Sequence, residues 1–258
     1  MNESIQKMIR IISLNTWKCD GNYLQRIEAI KLQLAQLAPD IVALQECFAA
    51  REVNVHTART LSTHLNMPYQ WAPARFKARN FNDNMIDSHS GLAILSRFPV
   101  QDHQIISLPS AAADGERIAQ IVRLEINHNT ILIANLHLTH LKGAQSLRKE
   151  QLNSLMEWIS EDPSTSYIFL CGDFNAEVDT VPLQFLENSF QARHSFYLYQ
   201  KTQYPPATIH DKCIDFIYVI PEKNQIYPTC NDSSIVLNEP YQGVYPSDHA
   251  GVMATFLL

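Results

Sequence analysis

The chain has no internal repeat, no low-complexity tract and no Pro/Gly/Ser-rich linker along its 258 residues, which points to one domain spanning residues 1–258. It has no CxxC pair, and its five cysteines (Cys19, Cys47, Cys171, Cys213, Cys230) are odd in number. A zinc or disulfide framework is therefore not expected, and Cys171 and Cys213, inside apolar runs, should pack as small hydrophobes. No run approaches the ~20 apolar residues of a membrane span, so stable membrane insertion is not expected. The opening MNESIQKMIR lacks the apolar stretch of a signal peptide, which makes the cytoplasm the expected location; a non-classical export route would leave no mark. An excess of basic residues is missing too. A net charge of −6 sets up no general field for polyanions, whereas a non-specific duplex binder draws most of its affinity from neutralising phosphates; a local basic patch is compatible with that balance. The absence of a GxSxG turn removes the serine hydrolases built on a nucleophile elbow.

What is present is enough apolar material for a large core: 46% hydrophobic residues against 18% charged. Short runs rich in branched residues at Met8–Leu14, Asp40–Leu44, Leu92–Leu95, Ile118–Ile126, Thr130–Leu138, Tyr167–Cys171, Ile214–Ile220 and Gly251–Leu258 read as strands, several of them buried on both faces. Tyr23, Leu24, Ile27, Ile30, Leu34 and Leu37 form one face of a helix stopped by Pro39; Leu147, Leu152, Leu155, Trp158 and Ile159 form another that ends near Pro163. A weaker helix is expected over Arg51–Leu65, and His128-Asn129 suits a hairpin turn between two strands. Hairpins mixed with helical crossovers imply an α/β fold of two packed, mostly antiparallel sheets with helices outside.

Six polar patches sit at the ends of apolar runs: Asn15 in SLNTW, Glu46 in IVALQE, His137 in ILIANLHLTH, Asp173 and Asn175 in YIFLCGDFN, Asp215 in CIDFIYV, and Asp248-His249 in YPSDH. Strand ends can aim side chains from a rigid sheet, and such a set suits metal-assisted hydrolysis of a phosphate ester. Glu46 is a hard oxygen donor, and Mg²⁺ needs only one or two protein ligands beside its waters. Asn15, after the first strand, would orient Glu46 or hold a metal-bound water. Asp173 and Asn175, two apart, should point to the same side if the strand continues through them. A buried strand aspartate such as Asp215 needs a partner, and an Asp-His pair with His249 would fix the imidazole tautomer and favour its charged form.

The chain resembles the endonuclease/exonuclease/phosphatase superfamily, which includes DNase I, from Leu14 to His249. The resemblance is carried by GDFN at Gly172–Asn175, SDH at Ser247–His249, the LNTW and LQE patches, and SGLAILSR at Ser90–Arg97. It implies a four-layer α/β/β/α sandwich and a Mg²⁺-dependent site, with Mn²⁺ as the alternative. It also implies that Asp173 positions or deprotonates the attacking water and that Asn175 hydrogen-bonds that water and a phosphate oxygen. His249 would act at the scissile phosphate as base or charged stabiliser. His137 would serve a non-bridging oxygen or the leaving group, Asp248 would join the metal site, and Arg117 would reach a substrate phosphate. His140 reads as a loop histidine.

Departures from family patterns narrow the branch. The Trp-x-Asp-Arg signature of inositol phosphatases is absent from TIHDKCIDFIYV, and GDFN runs on as GDFNAEVDT rather than in the abasic-site nuclease pattern. Trp71, Phe76 and Phe81 in WAPARFKARNF form a basic-aromatic stretch, read in the first instance as a partly packed surface loop. The leading expectation is a phosphodiesterase whose partner is nucleic acid. A lipid or small-molecule phosphodiesterase or phosphatase of sphingomyelinase-like kind comes second, and a non-catalytic binding scaffold is remote. Oligomeric state leaves no signature.

Overall fold

The structure, a computed structural model, describes residues 7–127, 129–160, 165–221 and 226–258. In chain order its first half runs β1 (Met8–Asn15), α1 (Tyr23–Leu37), β2 (Ile41–Ala50), β3 (Val55–His56), α2 (Thr57–Leu65), β4 (Tyr69–Ala72), β5 (Lys77–Phe81), β6 (Asn84–Ser96), β7 (Val100–Leu108) and β8 (Arg117–Ile126). The second half runs β9 (Asn129–His137), α3 (Gln145–Ser160), β10 (Tyr167–Asp173), α4 (Val181–Ser189), β11 (Arg193–His194), α5 (Ser195–Gln200), β12 (Asp215–Ile220), β13 (Thr229–Val236) and β14 (Gly251–Leu257). One sheet has eight strands, in the order β13-β14-β1-β2-β6-β4, with β3 on β2 and β5 on β6; the other has six, in the order β11-β12-β10-β9-β8-β7. Each is antiparallel apart from one internal parallel pair, β1/β2 in the first and β9/β10 in the second.

Strict alternation along apolar strands produces the layering. In β1, Ile9 and Ile11 face the second sheet, meeting Val122, Ile133, Phe169 and Ile217, while Ile12 and Leu14 face outward onto Ile27, Ile30 and Leu34 of α1. On the far side Leu132, Ala134 and Leu170 pack under Leu152, Leu155 and Leu183 of α3 and α4. These three apolar layers separate four layers of secondary structure, the expected α/β/β/α sandwich. Among the described residues no helix is long and apolar enough to cross a membrane, and all five cysteines are free.

Several local expectations are corrected. The helix expected from Arg51 begins at Thr57, where the His56 ring nitrogen accepts from Arg59 N–H and caps it. On α1, Leu24 is 64% exposed while Arg26 is only 1% exposed, so a guanidinium takes a place that apolar periodicity gave to a leucine. β8 and β9 pair as a hairpin with Ile126 opposite Asn129; His128 and the expected helix stop at Pro163 lie outside the described residues. In the basic-aromatic stretch, Phe81 joins the core under α1, Trp71 packs beside it, and Arg79 is buried against Ser88. Phe76 stays 61% exposed.

Candidate active site

Both parallel pairs end at the same edge of the sandwich, and the polar residues converge there. Register does much of this. Asp173 stands opposite His137 across β9/β10 and opposite Asp215 across β10/β12. The close approach of β9 to β10 depends on Gly172, whose φ is +151° and where an added Cβ would lie 2.0 Å from Leu136 O. Gly172 is thus a strand residue that lets the backbones touch.

Asp215 Oδ2 and His249 Nδ1 are 2.8 Å apart, and His249 Nε2 lies 3.9 Å from Asp173 Oδ2. Thr208 fixes the geometry: its hydroxyl accepts from the Ile214 and Asp215 amides at 3.2 and 3.3 Å, and its carbonyl accepts from Ala250 N at 2.7 Å. Burial alone would lower the His249 pKa, but the hydrogen bond and charge of Asp215, with the charges of Asp173 and Asp248, push it up to about 9. His249 is therefore an imidazolium at neutral pH, which favours charge stabilisation over general-base work. Burial raises Asp173 to about 7, with the charge of Asp215 adding to it and His249 opposing. Asp173 sits poised near neutrality, as a residue that moves a proton should. His137 is held well below its ordinary pKa, first by burial and then by Arg117, His249, Arg75 and Lys18. Its approaches of 3.4 Å to Asp173 Oδ2 and 3.9 Å to Glu46 Oε1 are those of a neutral ring between two carboxylates rather than ion pairs.

Asn175 departs from the expected strand alternation. β10 ends at Asp173, Phe174 turns into the core, and Asn175 takes a left-handed φ of 49°. Its amide N–H donates to Asp173 Oδ1 at 2.9 Å and its Nδ2 to Leu138 O at 3.0 Å. A turn closed by the Asp173 carboxylate, not a two-residue period, puts both beside the site. Asn15 sits next to Asp173 rather than Glu46: Trp17 N–H donates to its Oδ1 at 3.0 Å, and its Nδ2 is left to reach Asp173 Oδ2 at 3.1 Å.

Glu46 does not follow its strand but lies within it. The β2/β6 register shifts between Leu44 and Cys47, and Glu46 has φ 53°, a β-bulge that swings its side chain toward the site. The neighbouring Gln45 points between the sheets, donating to Asn135 Oδ1 at 2.8 Å, while Asn135 Nδ2 donates to Leu44 O and Ala93 O. Glu46 Oε2 meets Lys18 Nζ at 2.7 Å. Asp248 follows Ser247, whose hydroxyl donates to Asn15 O at 2.7 Å, and burial raises the Asp248 pKa, with Glu46 adding to it and His249 opposing. Glu46 beside Asp248, whose charge burial penalises, forms a donor set suited to a hard divalent cation. Glu46 and Asp248 would hold it, with Asp173 and Asn15 adjacent. Asp173, Asp215 and His249 also bring ligand atoms within 4.8 Å of one another, but the 2.8 Å Asp215–His249 bond already uses Asp215 Oδ2 and His249 Nδ1.

Arg117 is committed to the protein. Its Nε and Nη2 donate to Asp114 at 2.8 and 2.6 Å, and its Nη1 to His137 O at 3.1 Å. Asp114, in the sequence context AAADGER, gave no signal. His140, read as a loop histidine, is half-exposed with Nδ1 2.7 Å from Asp114 Oδ1. The half-buried Arg75 instead lines a slot with Glu46, Glu116 and His137. Lys18 and Arg26 are the other residues that sequence reasoning missed. Buried Arg26 donates to the carbonyls of Thr16, Trp17, Lys18, Asp20 and Pro246. It thereby ties the loop after β1 to the segment carrying Asp248 and His249. Beyond Asn175 opens a cavity of about 390 Å³, lined by His140, Lys142, Gln145, Arg148 and Lys212, with Glu177 as the one carboxylate among the described lining residues.

Residues 12–249 match the family model described as Endonuclease/Exonuclease/phosphatase family. The chain is 26% identical over 182 residues to the uncharacterized protein YbhP of Escherichia coli (strain K12), covering 67% of this chain and 69% of that protein. It is 25% identical over 175 residues to tyrosyl-DNA phosphodiesterase 2 of Homo sapiens, covering 64% of this chain and 42% of that longer protein. Among solved structures, humanized D. rerio TDP2 superposes with a TM-score of 0.75 at 20% identity, covering 96% of this chain and 98% of that one; at that identity the likeness is one of fold.

Proposed function

The chain belongs to the endonuclease/exonuclease/phosphatase family, whose members are hydrolytic phosphoesterases, and from that premise we propose that it is a divalent-metal-dependent phosphodiesterase that cleaves nucleic acid by in-line attack of water. The observation that carries the hydrolytic reading is the chain of short contacts from Asp215 through His249 and Asp173 to His137 and Glu46. Asp173, poised near neutrality and held by Asn15 and by the Asn175 amide, would orient the water and take its proton. The His249 imidazolium would face the charge that builds on the phosphoryl oxygens, and neutral His137 would donate one N–H to a phosphoryl or leaving-group oxygen. A divalent cation at Glu46 and Asp248 would supply Lewis-acid neutralisation of the same charge.

The nucleic-acid substrate is supported by the surroundings of the site. The cavity beside Asn175 presents Lys142 and Lys212 in solvent, with His140, against a single carboxylate. That environment suits a neighbouring backbone phosphate and disfavours a cationic choline headgroup. The likeness to tyrosyl-DNA phosphodiesterase 2 runs the same way. The test is a hydrolysis panel of bis-p-nitrophenyl phosphate, single- and double-stranded DNA, RNA, a tyrosyl-DNA conjugate and sphingomyelin, run with Mg²⁺, Mn²⁺ or EDTA and with Asp173→Ala as control. EDTA-sensitive, Asp173-dependent cleavage of a nucleic acid is expected. Cleavage of sphingomyelin alone would overturn the substrate, and turnover unaffected by EDTA would overturn the metal.

A further inference from the structure

Glu46 is a carboxylate with two differently used oxygens. Oε2 is 2.7 Å from Lys18 Nζ, while Oε1 faces His137 Nδ1 at 3.9 Å, on the side of Asp173. Lys18 is not a loose surface partner. Its side chain is 26% exposed and that of Glu46 11%, and its ammonium is bracketed on the other side by Asp20 at 3.4 Å. The backbone that carries it is left-handed at both Trp17 (φ 53°) and Lys18 (φ 40°). The buried Arg26 guanidinium holds that backbone through the carbonyls of Thr16, Trp17, Lys18 and Asp20 at 2.8–3.1 Å, and Arg26 itself stacks 4.8 Å from the Trp17 ring. Glu46 is equally constrained by its bulge. An ion pair between two solvated side chains is interchangeable with water, but here both side chains spring from constrained backbone and are largely shielded from solvent, so the pair occupies one carboxylate oxygen and leaves the other available.

We propose that Lys18 is a positioning residue that makes Glu46 a one-oxygen ligand and thereby biases the metal site toward Mg²⁺ over Ca²⁺. This rests on the metal-dependent reading above. The physical reason lies in what the two ions ask for. Mg²⁺ is small, keeps most of its waters and takes single carboxylate oxygens in octahedral geometry. Ca²⁺ takes more ligands and readily uses both oxygens of one carboxylate. With Oε2 held by an ammonium, Glu46 can offer only Oε1, and the nearby positive charge weakens binding of either ion. Removing the ammonium frees the second oxygen, which benefits Ca²⁺ more.

Calorimetric titration of the folded, substrate-free protein with Mg²⁺ and with Ca²⁺ tests this without reference to turnover. In Lys18→Met both ions should bind more tightly, and the Kd ratio should shift toward Ca²⁺ by about tenfold or more. Lys18→Arg, which restores a cation on Oε2, should return the ratio to within about twofold of the parent. Lys18→Gln serves as the neutral variant should the methionine fail to fold, with circular dichroism and Tm as the check. An unchanged ratio in a folded neutral variant overturns the proposal and leaves the metal-dependent reading standing. A parent protein that binds neither ion overturns both.

Discussion

The two halves of the site are placed by different means. The half on the six-stranded sheet, His137, Asp173 and Asp215, is set by ladder register: three strand ends in adjacent rows, each opposite the next. The half on the eight-stranded sheet is set by departures from regular structure. Glu46 sits in a bulge with φ 53°, Trp17 and Lys18 are left-handed, and a buried arginine gathers their carbonyls. A ladder holds side chains on the stiffest element available, whereas a bulge gives a side chain a direction that a straight strand does not. The sheets are joined near the site by the Gln45–Asn135 amide pair, which keeps the halves in fixed relation.

The comparison can be broken most sharply where the halves meet, at His249, which reaches from the loop before β14 to Asp215. His249→Ala, in a protein that keeps its Tm, should lower kcat by about 10²–10³-fold, the scale of one preorganised charge stabiliser; turnover near the parental rate would remove His249 from the mechanism. On the irregular side, Arg26→Met leaves several carbonyls without their donor and should cost about 3 kcal/mol in urea unfolding while weakening metal binding. A stable variant with parental metal affinity would show that the loop holds its shape without the clamp. Gly172→Ala puts a methyl group against Leu136 O, so a loss of about 2 kcal/mol is expected, with a fall in kcat as Asp173 moves from His137.

The gentlest probe is pH. In metal-free protein the His249 ring should titrate near 9 by NMR, and Asp215→Asn should bring it down toward the ordinary ~6.5. Because the folded pKa is raised, the stability contributed by this pair is full below the unfolded value and is lost as pH rises through about 9. The urea midpoint should accordingly fall over that window in the parent and lose this component in Asp215→Asn. A midpoint insensitive to the substitution would mean the pair carries no charge linkage.

Much of this architecture was legible because the chain writes it locally. Each of β1, β9 and β10 is an apolar run closed by a polar residue, and β12 is one opened by Asp215, so the run and its terminus together disclose both strand and site. The edge strand β7 was not legible: VQDHQIISL has one face in water and mixes polar with apolar residues. Glu46 was recognisable as a candidate ligand, but its bulge is defined by β6, some forty-five residues onward, and no local pattern encodes a partner's register. The pairing of Arg117 with Asp114 was not legible because Asp114 stands in an unpatterned loop. Arg26 gave no signal because hydrophobic periodicity has no symbol for a buried cation satisfied by carbonyls. The Asp173–Asn175 pairing was right in proximity and wrong in cause, since a strand that stops one residue early replaces alternation with a turn.

The Arg26 clamp also imposes an order on biosynthesis. One of its acceptors, Pro246 O, lies 220 residues further along the chain, and β1 completes its ladder with β14. A ribosome emits the chain from its N-terminus, so Arg26 emerges early with its full set of partners still unmade. Asp248 and His249, just beyond Pro246, leave the tunnel some 220 residues later. The nascent chain can therefore assemble its helices and most of both sheets before the candidate site is complete. Closure of the clamp and completion of the site become the same late event.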